Sequence, residues 1–159
     1  NPSIVRKLHL TGVSLGRSDS GYLQLLAWKD HLQNDNLRAF AWAALLASYS
    51  SAFLRRSEIR LPMWVQSVCD SHECSGLLAL LVQAHEEAGP WSVAGMADRI
   101  GSIKGRLVSG QDDILAPTDL VLNLAEKLDW PVNVISNAGH ALPMEAPRIW
   151  REDLLNFLD

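Results

Sequence analysis

Residues 106–147 read RLVSGQDDILAPTDLVLNLAEKLDWPVNVISNAGHALPMEAP, and the change of texture along this run decides the fold. Arg106-Leu107-Val108-Ser109 is a short β-prone segment that stops at Gly110. Pro117 then opens a helix, because proline at the first helical position gives up no hydrogen bond the helix needs. Leu120, Val121, Leu124, Ala125 and Leu128 recur on one face of that helix. Pro131-Val132-Asn133-Val134-Ile135-Ser136 is a second strand, and Pro147 opens a last helix carrying Trp150, Leu154, Phe157 and Leu158. Strand and helix in alternation predict an α/β fold with a parallel sheet, since parallel neighbours need a crossover of about this length.

Working outward, Ile4 to Leu10 mixes β-branched and apolar residues and stops at Thr11-Gly12, which predicts one more buried strand. The long interval between has no convincing strand. Asn34-Asp35-Asn36 can cap a helix over Leu37 to about Leu54, and a second helix runs from Glu73 to Glu87, ended by Gly89-Pro90. Ser92 is the expected N-cap of a shorter helix, with Trp91 placed to staple against Met96. RLPMWVQSV at 60–68 is the one strand-like run, and Pro62 interrupts it. The expected organisation is a core strand in 1–14, an inserted helical lobe in 15–103, and a terminal β-α-β-α unit in 104–159.

Composition narrows the function classes. The 159 residues are 48% hydrophobic and 20% charged, which suits one core or a core with a small lobe. A net charge of −4 with scattered Lys and Arg leaves no footprint for nucleic acid or an anionic membrane. No apolar run reaches the roughly 20 residues of a membrane span, and Asn1-Pro2-Ser3 does not open like a secretory signal, so a cytoplasmic or processed chain is expected. Small neutral molecules are the expected substrates. Cys69, His72 and Cys74 spell C-x-x-H-x-C, but no fourth ligand stands nearby and a structural zinc normally needs four, so no metal is expected.

Two residues in the opening run carry chemistry. Asp113 follows the end of one strand and His140 the end of the next, and in open α/β sheets functional side chains gather beyond the carboxyl ends of strands. A histidine can act as general base near neutral pH, and a carboxylate on its far nitrogen fixes the tautomer. Asp112 is expected to be a solvated turn residue. Gly12-Val13-Ser14-Leu15-Gly16 also spells the G-x-S-x-G of a nucleophile elbow, which makes Ser14 a candidate nucleophile. An elbow serine leads into a helix buried on the sheet, however, and here Arg17-Ser18-Asp19-Ser20-Gly21 follow. Burying Arg17 and Asp19 would cost several kcal/mol unless they were paired. The elbow spelling is therefore read as coincidence.

Gly110-Gln111-Asp112-Asp113, Gly139-His140 and Glu145-Ala146-Pro147 resemble the C-terminal portion of the α/β-hydrolase fold family, with acid and histidine 27 positions apart (140 minus 113). Pro2 to Gly12 is similar to the family strand that follows the nucleophile helix, after which the chain leaves for a helical cap. The resemblance implies that Asp113 is the triad acid and His140 the triad base. It further implies a nucleophile and oxyanion hole outside this segment, no cofactor, and hydrolysis of an ester, amide or related bond. Trp28, Phe40, Trp42, Tyr49, Phe53 and Trp64 would belong to the cap, where core packing explains them equally well. The partner expected is the remainder of the hydrolase or a second copy, and a G-x-S-x-G upstream of Asn1 would favour the enzyme where a native start at Asn1 would favour the alternative. The alternative is a non-catalytic module that binds a ligand or a partner chain through an open sheet edge.

Overall fold

The computed structural model of the chain describes residues 4–84, 89, 92–100 and 103–159. Among these, three strands, β1 (Lys7–Thr11), β2 (Lys104–Gly110) and β3 (Val132–Ile135), form one parallel sheet in the order β1-β2-β3. Register pairs His9 with Arg106, Leu10 with Leu107, and Val108 with Asn133. Six helices fill the interval between β1 and β2: α1 (Asp19–Gln33), α2 (Leu37–Ser48), α3 (Ser51–Ser57), α4 (Leu61–Ser71), α5 (Cys74–Ala84) and α6 (Val93–Ile100). A 3-10 turn over Glu58–Arg60 joins α3 to α4. Helix α7 (Thr118–Leu128) makes the crossover from β2 to β3, and α8 (Leu142–Glu145) and α9 (Pro147–Leu158) follow.

The sheet is covered on two sides, as an α/β layer requires. On one face Leu107, Val121, Leu124, Ala125 and Trp130 form a buried cluster joined by Leu8 and Leu10. Each such large side chain contributes roughly 1.5–3 kcal/mol on leaving water. On the other face Val108, Ile135, Ala138 and Leu142 pack with Trp150 of α9. That second face is not uniformly apolar. Asp153, a buried residue of α9, accepts from His9 Nε2 (3.0 Å), Arg106 Nη1 (3.0 Å) and Asn133 Nδ2 (2.8 Å), one residue from each strand.

Within the interval expected to be a lobe, Trp28, Leu32, Phe40, Ala47 and Leu81 are buried together, whereas Ala97 of α6 is buried in the sheet cluster with Leu107 and Val121. Tyr49, Phe53 and Trp64 stack in a second group, with the Arg56 and Arg60 guanidinium groups over Phe53 and Trp64. Asn36 caps α2 through Ala39 N–H, and Ser92 caps α6 through Gly95 N–H. The expected Gly89-Pro90 stop, the Trp91 staple and Glu87 fall wholly or partly outside the described residues.

Several expectations are corrected. The helix expected over 37–54 is two helices, broken where Tyr49 turns extended (φ −116, ψ 147) and Ser50 becomes a new N-cap. The first strand starts at Lys7 rather than Ile4, and Ile4 stands 78% exposed. The strand-like run at 60–68 lies mostly in α4, whose first turn holds Pro62 where its missing N–H costs nothing. Pro117 precedes the first residue of α7 as its N-cap. Helix α1 carried no expectation at all.

Candidate active site

Gly110 ends β2, and the loop after it lies against the loop after β3. A Cβ at Gly110 would fall 2.2 Å from Gly139 O and 2.3 Å from Ala138 O, so only glycine admits this approach. Gln111 N–H donates to Ile135 O and Asp112 N–H to Ala138 O, both at 2.9 Å, which stitch the two loops together. Asp112 itself is exposed, whereas the Asp113 side chain is fully buried between the loops.

Asp113 and His140, the two residues singled out from the sequence, meet here. The Asp113 Oδ2 lies 2.9 Å from His140 Nδ1. Its other oxygen, Oδ1, accepts from Leu115 N–H (2.9 Å) and Ala116 N–H (2.8 Å), so the carboxylate is held at three points. A carboxylate here accepts only, so in the neutral ring that donates to it the proton is on Nδ1 and the lone pair on Nε2. The imidazole keeps 35% exposure while its partner keeps none, which leaves the ring reachable on its outer side. Its inner side rests on Gly12, just past β1: a Cβ there would stand 2.9 Å from His140 Cε1 and 3.0 Å from Nδ1. Gly12 also has φ +65, a left-handed value that favours glycine. From the sequence Gly12 reads as a strand end and as part of an elbow spelling, and neither reading reveals this seat.

Ser14 lines a cavity beside Gly12 but has no elbow's surroundings. Its Oγ donates to Gly16 O at 3.0 Å, and its backbone is not among the positive-φ positions of the described chain. The 12–16 loop is tied to α7 through Leu15 N–H on Leu120 O, and the helix that follows, α1, packs on α2 and α5 of the lobe. β1 hydrogen-bonds directly to β2, the strand that leads to Asp113.

The cavity beside Gly12, of about 370 Å³, is lined by Ser14 and by the apolar Val13, Leu25, Trp28, Val93, Leu115 and Ala116 among others. Leu115 and Ala116 are the residues whose N–H groups hold Asp113, so the cavity adjoins the acid and histidine. A larger cavity of about 640 Å³ lies near Lys7, Lys104, Arg106 and Trp130, toward the amino ends of the strands and away from His140. Size alone is a poor guide here, because α/β sheets place their chemistry at the carboxyl ends. The C-x-x-H-x-C residues lie at the end of α4 and the start of α5, where His72 Nδ1 faces Val68 O (3.2 Å). Among the described residues no group of three or more His, Cys, Asp or Glu could hold a metal ion, and no helix is long and apolar enough to cross a membrane.

The fold is that of the α/β hydrolases, present here as a partial parallel sheet with a helical insertion. Comparison by sequence finds no matching family model and no matching curated protein. Solved structures do match. An α/β hydrolase from a Medee basin deep-sea metagenome library is 19% identical and superposes with a TM-score of 0.73 over 99% of this chain and 57% of its own. A thermophilic esterase from Thermogutta terrifontis gives 16% identity and 0.74 over 96% of this chain and 55% of its own. The enol-lactonase of Burkholderia xenovorans LB400 gives 15% and 0.69, covering 96% and 56%. The chain therefore spans little more than half the length of the hydrolases it resembles.

Proposed function

We propose that these residues form the cap and later core of an α/β-hydrolase-like enzyme that cleaves an ester, amide or related bond. In this mechanism His140, oriented by Asp113, takes the proton of a nucleophile that lies outside the 159 residues. The observation that carries the proposal is the 2.9 Å contact between His140 Nδ1 and a buried Asp113 held by two further N–H donors. The pair sits beyond the ends of β2 and β3, beside an apolar cavity. The structural neighbours include an esterase and a lactonase, which favours carboxylic esters within the wider class.

The nucleophile, once deprotonated by Nε2, would attack the carbonyl carbon and form a covalent acyl intermediate as the alcohol leaves with the proton from His140. Water, activated by the same nitrogen, would then release the acid. Ser14 is not assigned the nucleophile's role, because its loop runs to α7 and the lobe instead of into a helix on the sheet. β1 lies at one edge of the described sheet, and the strands that would extend it there are supplied by the remainder of the enzyme or by another copy.

Steady-state hydrolysis of p-nitrophenyl esters by the complete enzyme tests this. His140→Ala and Asp113→Asn should each lower kcat on the order of 10⁴-fold with a smaller change in KM. Wild-type turnover in either variant would refute the assignment.

A further inference from the structure

Glu145 touches neither Asp113 nor the His140 ring, yet its carboxylate is where the helical lobe and the histidine loop meet. Oε1 accepts from Gly139 N–H at 2.8 Å, the residue immediately before His140. Oε2 accepts from Ser50 N–H at 3.1 Å and from the Ser50 hydroxyl at 2.5 Å. Ser50 caps α3 at the break between α2 and α3, and its Oγ also receives Phe53 N–H. A second tie lies alongside, where Ala141 N–H donates to Ser48 O at 2.9 Å. Residues 139 and 141 are thus held against residues 48–50 from both sides of His140. The approach is so close that a Cβ on Gly139 would stand 2.8 Å from Ser50 N.

We propose that Glu145 is a positioning residue for His140, clamping the histidine loop to the break between α2 and α3 so that the imidazole stays seated on Gly12 with Nδ1 on Asp113. One carboxylate oxygen would suffice to cap α3 or to steady the loop. Using both to bridge lobe and core couples the two, and charge-assisted bonds of this kind are about twice as strong as neutral ones. The charge is felt on the lobe side as well: burial, reinforced by the Glu145 carboxylate, raises the pKa of the neighbouring Tyr49 phenol. The bridge also accounts for the helix break, since a continuous helix through Tyr49 and Ser50 would commit the Ser50 N–H to its own backbone ladder.

The test reads His140 itself and needs neither substrate nor nucleophile, so it can fail independently of the proposed hydrolysis. In the full chain with ¹⁵N-labelled histidine, the Nδ1–H proton of His140 is followed by NMR and its exchange with water is measured. Glu145→Gln, which keeps the shape but places an amide NH₂ against one set of donors, should speed that exchange by about tenfold or more. Ser50→Ala should shift it in the same direction by less, and it decides the matter if Glu145→Gln does not fold. Asp153→Asn, in the network α9 makes with His9, Arg106 and Asn133 along the strands, should lower thermal stability and leave the exchange unchanged. Exchange in both Glu145→Gln and Ser50→Ala equal to that of the wild type, or raised equally by Asp153→Asn, would overturn the proposal.

Discussion

Gly12 shows how much of a site can rest on an atom that is missing. The His140 ring occupies the space a Cβ would need, and the positive φ at Gly12 adds a backbone penalty for any side chain. Gly12→Ala should therefore push the imidazole off its seat. Displacement by about 1 Å is enough to lower turnover roughly 10²-fold, while the left-handed alanine costs about 1–3 kcal/mol of stability. Kinetics of the complete enzyme together with urea unfolding separate the two effects; unchanged kcat in a folded variant would show that the ring tolerates the methyl. Asp113 and His140 were legible in the sequence because strand ends announce themselves through β-prone runs closed by glycine. The seat at Gly12 was not, nor were the contacts of Glu145, itself a residue of the quoted Glu145-Ala146-Pro147 motif, because both depend on which loops pack together and local composition carries no record of that.

At the scale of elements, the terminal β-α-β-α unit could be read from its periodicity, and the apolar face named on α7 holds the buried Val121, Leu124 and Ala125. The lobe was harder. Helix α1 turns Gly21, Leu25, Trp28 and Leu32 inward at helical spacing, but Tyr22, Leu23 and Leu26 are also apolar and stand exposed, so the pattern is blurred. The break at Tyr49–Ser50 is bonded to Ala141 and Glu145, about 90 or more positions away. Helix α9 held another surprise: alongside the expected Phe157 it buries Asp153, whose charge is invisible to a hydrophobic pattern. With His9 5% and Asp153 7% exposed, removing the acid strands a buried histidine and leaves Arg106 and Asn133 without their acceptor. Asp153→Ala should cost about 3 kcal/mol, the lower end of what breaking a buried charged network costs because Arg106 retains solvent access. Urea titration checks this; a loss below about 1 kcal/mol would assign the network to the surface class.

For the whole molecule, the described sheet has three strands, and the chain matches hydrolases of which it spans little more than half. The function proposed above has its machinery completed from outside these residues, a reading supported by the three-stranded described sheet and by Asp113 and His140 meeting beyond successive strand ends. Labelling the full-length protein with a serine-directed fluorophosphonate, and locating the modified residue by mass spectrometry, tests that claim most directly. The account predicts one labelled serine outside residues 1–159, with labelling strongly reduced in His140→Ala. Label on Ser14, or labelling of any serine that persists at wild-type rate in His140→Ala, would contradict it.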